Sequence, residues 1–214
     1  QLGMRLSYCI MCQNEYQFDI IRRKFPRKKV IKISNPFLLK PKTSSSDIES
    51  KKYIAWLGTF QYQKNIPLLF EIASLLKEEE FLIAGKEHPG YDEETRHFLY
   101  KLGQLPNVRF AGFLSRDQVL PFFSKAKYLL NTSHYEGFSN TFLEAMSVGT
   151  PIITSAKVNP DGIISNHHLG IVFNDVPDLE NKFFSVTPAA YNVMSKNVKE
   201  YIRAGSRSEE RRVG

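Results

Sequence analysis

The chain has 214 residues, 42% of them hydrophobic, which suffices for one ordinary buried core with length to spare and leaves two complete domains crowded. Cys9 and Cys12 form a single C-x-x-C with neither a second pair nor a histidine at metal spacing; this argues against a disulfide framework or a zinc site, and reads first as two small apolar strand residues, with a redox pair as the alternative. The formal charge is +7, with Arg22, Arg23, Lys24, Arg27, Lys28 and Lys29 in one short run that suits phosphate, nucleic acid or an anionic membrane face, but reads first as a solvated helix end and turn.

In chain order, residues 6–11 are expected to form a strand, 13–24 a helix and 30–33 a strand, after which Ser34-Asn35-Pro36 breaks the pattern. The polar run 40–50, with Ser44, Ser45 and Ser46, reads as a linker. The predicted organisation is therefore a truncated first domain over 1–40, a linker over 41–51 and a second domain over 52–206. Within that second domain, strands are expected at 53–57, 81–84, 108–111, 128–131, 151–154 and 170–173. They alternate with amphipathic stretches, the pattern of right-handed βαβ units around a parallel sheet, and so of an α/β fold. Leu68, Leu69, Ile72, Leu75 and Leu76 place a helix over 66–77 behind an Asn65 cap. A second helix covers 93–102, and a third starts at Ser115, where Ser-Arg-Asp-Gln makes a capping box and Pro121 shortens or kinks the helix. Ser139 or Asn140 caps a fourth helix, which 142–148 fill and Gly149 and Pro151 end. A last helix covers 188–204. Residues 207–214 resemble the translation of a sequencing adapter and are left out of the fold expectation.

The sharpest constellation is Glu136-Gly137-Phe138-Ser139-Asn140-Thr141-Phe142-Leu143-Glu144, two carboxylates separated by seven residues, one in a loop and one inside a helix. In an open parallel sheet, loops at the carboxyl ends of strands form the ligand crevice, and a helix beginning there turns its N–H groups toward an anion. A diphosphate suits that helix start. Glu144, one turn in, suits a pair of ribose hydroxyls, and Glu136 suits sugar hydroxyls. Taken singly, each acid reads as solvated; as a spaced pair about a glycine they read as functional. His167 and His168 are adjacent and lack a carboxylate at ligand spacing, so a loop is expected there; the turn-rich Gly85–Gly90 stretch, at a strand end, suits equally a wall of the cleft or a plain connecting loop. Trp56 is expected in the core.

Residues 134–151 resemble the E-x7-E signature of retaining glycosyltransferases of family four, and the similarity extends from about Lys52 to Phe173. Gly58, Lys64-Asn65, Ile83-Ala84-Gly85 and Asn107-Val108-Arg109-Phe110-Ala111-Gly112 match in order. The resemblance implies the GT-B architecture. Its donor-binding C-terminal domain is a Rossmann-like doubly wound parallel sheet, preceded here by a residual piece of the N-terminal Rossmann-like domain. It also implies roles: Glu144 holds ribose hydroxyls, Glu136 stands beside the donor sugar, and Gly137, Phe138, Ser139, Asn140 and Thr141 contact sugar and phosphate. Lys64 neutralises the diphosphate, Gly58, Thr59 and Gly85 line the donor site, and Phe113 and Leu114 meet the base. The implied catalytic pair is Glu136 and Lys64. One departure stands out, because many relatives have an arginine where this chain has Thr59, which removes a fixed cation from the developing diphosphate charge.

The expected reaction is transfer of a sugar from a nucleoside diphosphate to an acceptor hydroxyl with retained configuration, in polysaccharide or glycolipid synthesis. No metal or other cofactor is expected. The partners implied are a nucleotide-sugar donor and a carbohydrate or lipid-linked acceptor, with no nucleic acid, since the basic run has no aromatic stacking platform. With the acceptor domain mostly absent, this chain alone is expected to bind donor weakly and not to transfer. The alternatives are a non-catalytic sugar-nucleotide-binding or scaffolding relative, supported by Thr59, and a GT-B sugar-nucleotide epimerase. No run approaches the roughly 18 apolar residues of a membrane span and no leader opens the chain, so a cytoplasmic setting with peripheral contact at the inner membrane face is expected.

Overall fold

The computed structural model describes residues 2–32, 51–137 and 139–213, with side chains as far as residue 204. The first segment is a small parallel unit. A short helix α1 (Leu2–Leu6) leads into β1 (Cys9–Cys12), helix α2 (Glu15–Lys24) crosses over, and β2 (Lys29–Lys32) pairs with β1. Asn14 caps α2, its Oδ1 accepting from the Gln17 N–H at 2.8 Å. Strand β1 begins later than the predicted 6–11, because Leu2–Leu6 close a helical turn whose last residue leaves the extended path. Strand β2 begins at Lys29, one residue before its expected start. Both cysteines are free, and Cys12 is buried; burial, with the charge of Cys9 second, pushes its thiol upward, the opposite of a reactive redox thiol.

The remaining chain builds one six-stranded parallel sheet from β3 (Tyr53–Phe60), β4 (Phe81–Glu87), β5 (Val108–Gly112), β6 (Ala126–Asn131), β7 (Ile152–Ser155) and β8 (Gly170–Phe173). Their order is β5-β4-β3-β6-β7-β8, the doubly wound order whose reversal falls between β3 and β6. The central strands are apolar on both faces, as a sheet covered on both sides requires. Ile54, Trp56 and Phe60 point into a core shared with α3 (Ile66–Leu75), and Ala55 points into a second one on the opposite face. Helix α4 (Glu93–Leu102) and, near the chain's end, a helix over Val176–Ser185 share the α3 face. Helices α5 (Arg116–Ser124), α6 (Asn140–Ser147), α7 (Ile163–Asn166) and most of the final helix over Pro188–Val213 cover the other, while Tyr191 near the start of that last helix packs in the first core. The Val176–Ser185 helix is α8 and the final one α9.

Several expectations change in detail. Strands β3 and β4 run three residues past their predicted ends, so Gly58, Thr59, Gly85, Lys86 and Glu87 are strand residues and not loop residues. The reason is pairing: Gly58 and Gly85 are register partners, and a Cβ on Gly85 would lie 2.0 Å from the Gly58 carbonyl oxygen. Glycine lets the two backbones continue side by side where any side chain would have split them. Ser115 forms the predicted capping box with Gln118, and α5 passes through Pro121 to Ser124. The missed helix α8 is capped by Asp175, with Pro177 in its first turn. Helix α9 continues through the backbone of 205–213, beyond its expected end and into the stretch left out of the fold expectation. Most of the expected linker lies outside the described residues; its last residue, Lys51, is buried, with Nζ donating to Thr150 Oγ1 at 3.1 Å.

Candidate functional site

The carboxyl edge at the β3/β6 reversal is built by two loops fastened to each other. After β3 a single 3₁₀ turn, Tyr62–Lys64, ends at Asn65, which takes a left-handed conformation (φ 49°) and caps α3 by accepting from the Leu68 N–H at 3.3 Å. After β6 comes Thr132-Ser133-His134-Tyr135-Glu136. The Trp56 indole N–H donates to Thr132 Oγ1 (3.1 Å), whose hydroxyl donates to the Lys64 carbonyl (2.7 Å). The His134 N–H donates to the Gln63 carbonyl (2.9 Å), and Gln63 Nε2 returns a bond to the Tyr135 carbonyl (3.0 Å). Buried Trp56 thereby acts from the core as a foundation for the lysine turn.

These bonds bring together the two residues named as the catalytic pair. Lys64 Nζ donates to Glu136 Oε2 at 2.8 Å, and Ser133 Oγ donates to the same oxygen at 2.9 Å. Both charged side chains are only about one-sixth exposed, 16% and 15%, so the pair is partly desolvated and its separation would leave a costly uncompensated charge. Gly58 is what makes room: a Cβ there would meet Trp56 at 3.0 Å and the Lys64 stem at 3.4 Å.

Helix α6 begins at the same edge. Ser139 is the extended N-cap residue and is buried, its hydroxyl 2.8 Å from Thr141 Oγ1; Asn140 and Thr141 form the first turn. Phe142, Leu143, Ala145 and Met146 anchor the helix in the second core. The helix ends where Gly149 takes φ +80° and its N–H bonds the Met146 carbonyl at 3.0 Å. Glu144 stands on the half-buried side of α6, where burial raises its carboxyl above the usual range and the charge of Arg116, first residue of α5, partly offsets that. Phe113, after β5, is 68% exposed, and Leu114 is half-buried against the second core.

Thus Gly58, Lys64 and Glu136 form one cluster, and Glu144 is under the influence of Arg116. Thr59 lies beside Lys86 in the β3/β4 register, and Lys86 Nζ sits 5.8 Å from the centre of the Phe113 ring. A Cβ on Gly137 would come within 2.5 Å of Gln13 Oε1, so the small N-terminal unit reaches the E-x7-E loop. Phe138 lies outside the described residues. The reading of the sequence missed Thr132, Ser133 and Gln13, and took Lys86 only as part of a turn-rich stretch that lines the cleft or simply connects. The Thr-Ser pair directly after a strand was the available signal for two of them, and nothing local pointed to Gln13. A cavity of about 290 Å³ opens beside the site on the α3/α8 side, with Asn65, Ser133, His134 and Lys157 in its wall.

Among the described residues no group of three or more His, Cys, Asp or Glu is arranged to hold a metal ion. His167 packs on Tyr201 with ring centroids 5.0 Å apart, and both histidine carbonyls accept from Asn197 Nδ2, so this pair closes a turn and ties it to α9. Among the described residues no helix is long and apolar enough to cross a membrane.

With this geometry in hand, residues 41–183 match the family described as Glycosyl transferases group 1, more than half of the chain. The chain belongs to that family. Among similar members, the 2-deoxystreptamine N-acetyl-D-glucosaminyltransferase of Niallia circulans is 27% identical over 83% of this chain and 44% of its own length. A structure of TarM from S. aureus, in complex with fondaparinux, alpha-GlcNAc-glycerol and UDP, superposes with a TM-score of 0.78. Its identity is 18%, over 94% of this chain and 41% of TarM. Anabaena Alr3699/HepE in complex with UDP and glucose gives a TM-score of 0.76 at 16% identity, over 99% of this chain and 64% of that one. These identities show a shared fold, the Rossmann-like sheet of GT-B glycosyltransferases. The chain spans less than half the length of the curated group 1 relative.

Proposed function

We propose that this chain is the donor-binding half of a retaining glycosyltransferase of family four, and that its ligand is a nucleoside-diphosphate sugar. The observation that carries the reading is the Lys64–Glu136–Ser133 cluster at the sheet reversal, beside the start of α6. Support comes from the group 1 match and from UDP in the TarM and HepE structures. In this reading the α6 N-terminus and Lys64 face the diphosphate, Glu136 holds sugar hydroxyls and Glu144 the ribose. The bond from the anomeric carbon to the diphosphate breaks, a bond to the acceptor oxygen forms on the same face, and the acceptor proton passes to the departing phosphate. The cationic work is assigned to these groups and to no metal. The acceptor, a glycan or lipid-linked hydroxyl, belongs to parts of the protein beyond this domain, so the chain alone binds donor weakly and does not transfer. Peripheral contact with an anionic membrane face through exposed Arg22, Arg23, Lys24 and Lys29 belongs to the same proposal.

Calorimetric titration of the chain with nucleoside diphosphates and their sugars, with and without EDTA, tests it. Saturable binding of one base is expected, unaffected by EDTA and weakened about tenfold or more in Glu144→Ala, the scale of one lost charge-assisted hydrogen bond. A folded chain that binds no nucleotide sinks the reading. Thr59 favours one second reading, a relative that binds donor without turnover, which tight binding by a full-length protein inert toward every acceptor would select.

A further inference from the structure

We infer that Lys86 is the second cation for the donor diphosphate, reaching from strand β4 across the carboxyl edge beside Thr59. This deepens the proposal above and rests on its claim that the site takes a nucleoside diphosphate.

The charge balance of the site raises the question. A diphosphate brings at least two negative charges, yet Lys64 is already matched by Glu136, so that pair offers the ligand little net charge. The start of α6, where an anion is best received, lies on the face of the sheet opposite α3.

Lys86 is on that opposite face. Side chains alternate along a strand and register partners share a side. In β3 and β4 the pairs Ala55/Leu82, Leu57/Ala84 and Thr59/Lys86 succeed each other at two-residue steps, and the first two pairs pack into the core beneath α5 and α6. The third pair continues the row to the rim, where Lys86 is exposed and Thr59 half-buried. Neighbouring strands lie about 4.8 Å apart, less than the length of a lysine stem, so Lys86 can serve the space above Thr59. Among the described residues it makes no ion pair; its contact is the exposed ring of Phe113, 5.8 Å from Nζ to centroid. An aromatic face holds an ammonium without neutralising it. Phe113 thus steadies a free positive charge at the α6 side of the edge. As an ammonium, Lys86 acts as a point charge and not as a planar fork, so its contribution depends on the number of phosphate charges and the ionic strength.

The test is titration of the chain with a matched nucleoside, monophosphate and diphosphate, for wild type, Lys86→Gln, and Lys86→Gln combined with Thr59→Arg, each first shown to keep its melting temperature. Lys86→Gln should lower diphosphate affinity about tenfold, monophosphate affinity less and nucleoside affinity not at all, and should flatten the salt dependence of diphosphate binding. Thr59→Arg should restore most of the loss, which a merely structural lysine would not allow. If wild type binds the diphosphate and Lys86→Gln binds it equally well, the inference fails while the donor-binding reading stands. An equal loss for the bare nucleoside also overturns it, by placing Lys86 at the base. If wild type binds no nucleotide, the donor-binding reading falls and takes this inference with it.

Discussion

Glu144 carries a charge into a half-buried place on α6 where, among the described residues, its carboxylate accepts no hydrogen bond. Burial raises its pKa above the unfolded value. Between those two values the folded state holds more proton than the unfolded one, so this residue's contribution to stability falls as pH rises through the window. A position kept charged at a stability cost is what a ligand-binding carboxylate looks like. Glu144→Gln should therefore melt at the same temperature as wild type below the window and higher at pH 7, while binding nucleotide less tightly. Melting curves from pH 4 to 7 check the first part, and a variant that melts lower at pH 7 would contradict it. The Lys64–Glu136 pair shows the opposite arrangement, two partly desolvated charges that satisfy each other and hold the loop before a ligand arrives.

At the scale of elements, α3 is positioned from both ends by asparagines. Asn65 caps its start directly behind Lys64, and Asn107, ahead of β5, donates through Nδ2 toward the carbonyls of Ala73, Leu76 and Glu79 at 3.0 to 3.2 Å. Ala73 and Leu76 lie in the last turn and C-cap of α3, where carbonyls lose their helical donors, and Glu79 lies in the loop that follows. Asn107→Ala should cost about 1–3 kcal/mol, and roughly 2–4 °C of melting temperature per kcal/mol in a chain of this size. Nucleotide affinity at low temperature should hold, since the site is at the other end of α3. A melting temperature within a degree of wild type would show that water replaces the three bonds without penalty.

At the scale of the whole molecule, the small N-terminal unit meets the sheet domain through polar contacts. The Glu15 N–H donates to Asp161 Oδ1 at 2.8 Å, Lys32 pairs with both Glu15 and Asp161, and Gln13 lies against Gly137. Asp161 holds this joint from a left-handed backbone (φ 52°), a conformation Asp tolerates better than Ala. No described residue of the N-terminal unit belongs to either main core, so the joint can open without disturbing them. Asp161→Ala should speed tryptic cleavage in the exposed 22–29 run several-fold, on the argument that cleavage tracks the open population. The melting temperature of the sheet domain should change little, because its two cores lie on its own helices. Unchanged cleavage would mean that the N-terminal unit is held by something other than this joint.

How much of the molecule was legible in the sequence depends on the range over which each cause acts. Strand and helix order came from local periodicity: the 93–102 helix and 170–173 strand fall where the pattern put them, and the Asn65, Ser115 and Ser139 caps announce themselves within a few residues. The E-x7-E spacing is likewise local. Strand ends were not legible, because Gly58 reads as the start of a loop and Gly85 as a turn former until each is seen to need the other's backbone. The partners of the site residues were not legible either. Trp56 reads as core, and only the β3/β6 pairing gives its N–H to Thr132 and so to the Lys64 turn. Gln13 at Gly137, Arg116 near Glu144 and Lys86 beside Thr59 are meetings of residues far apart in the chain. The sequence by itself determined the sheet-and-helix alternation and the chemical types available at its carboxyl edge, since these depend on near neighbours. Which charges there are spent on each other and which stay free was decided by strand order and register, because electrostatics depends on distance in space.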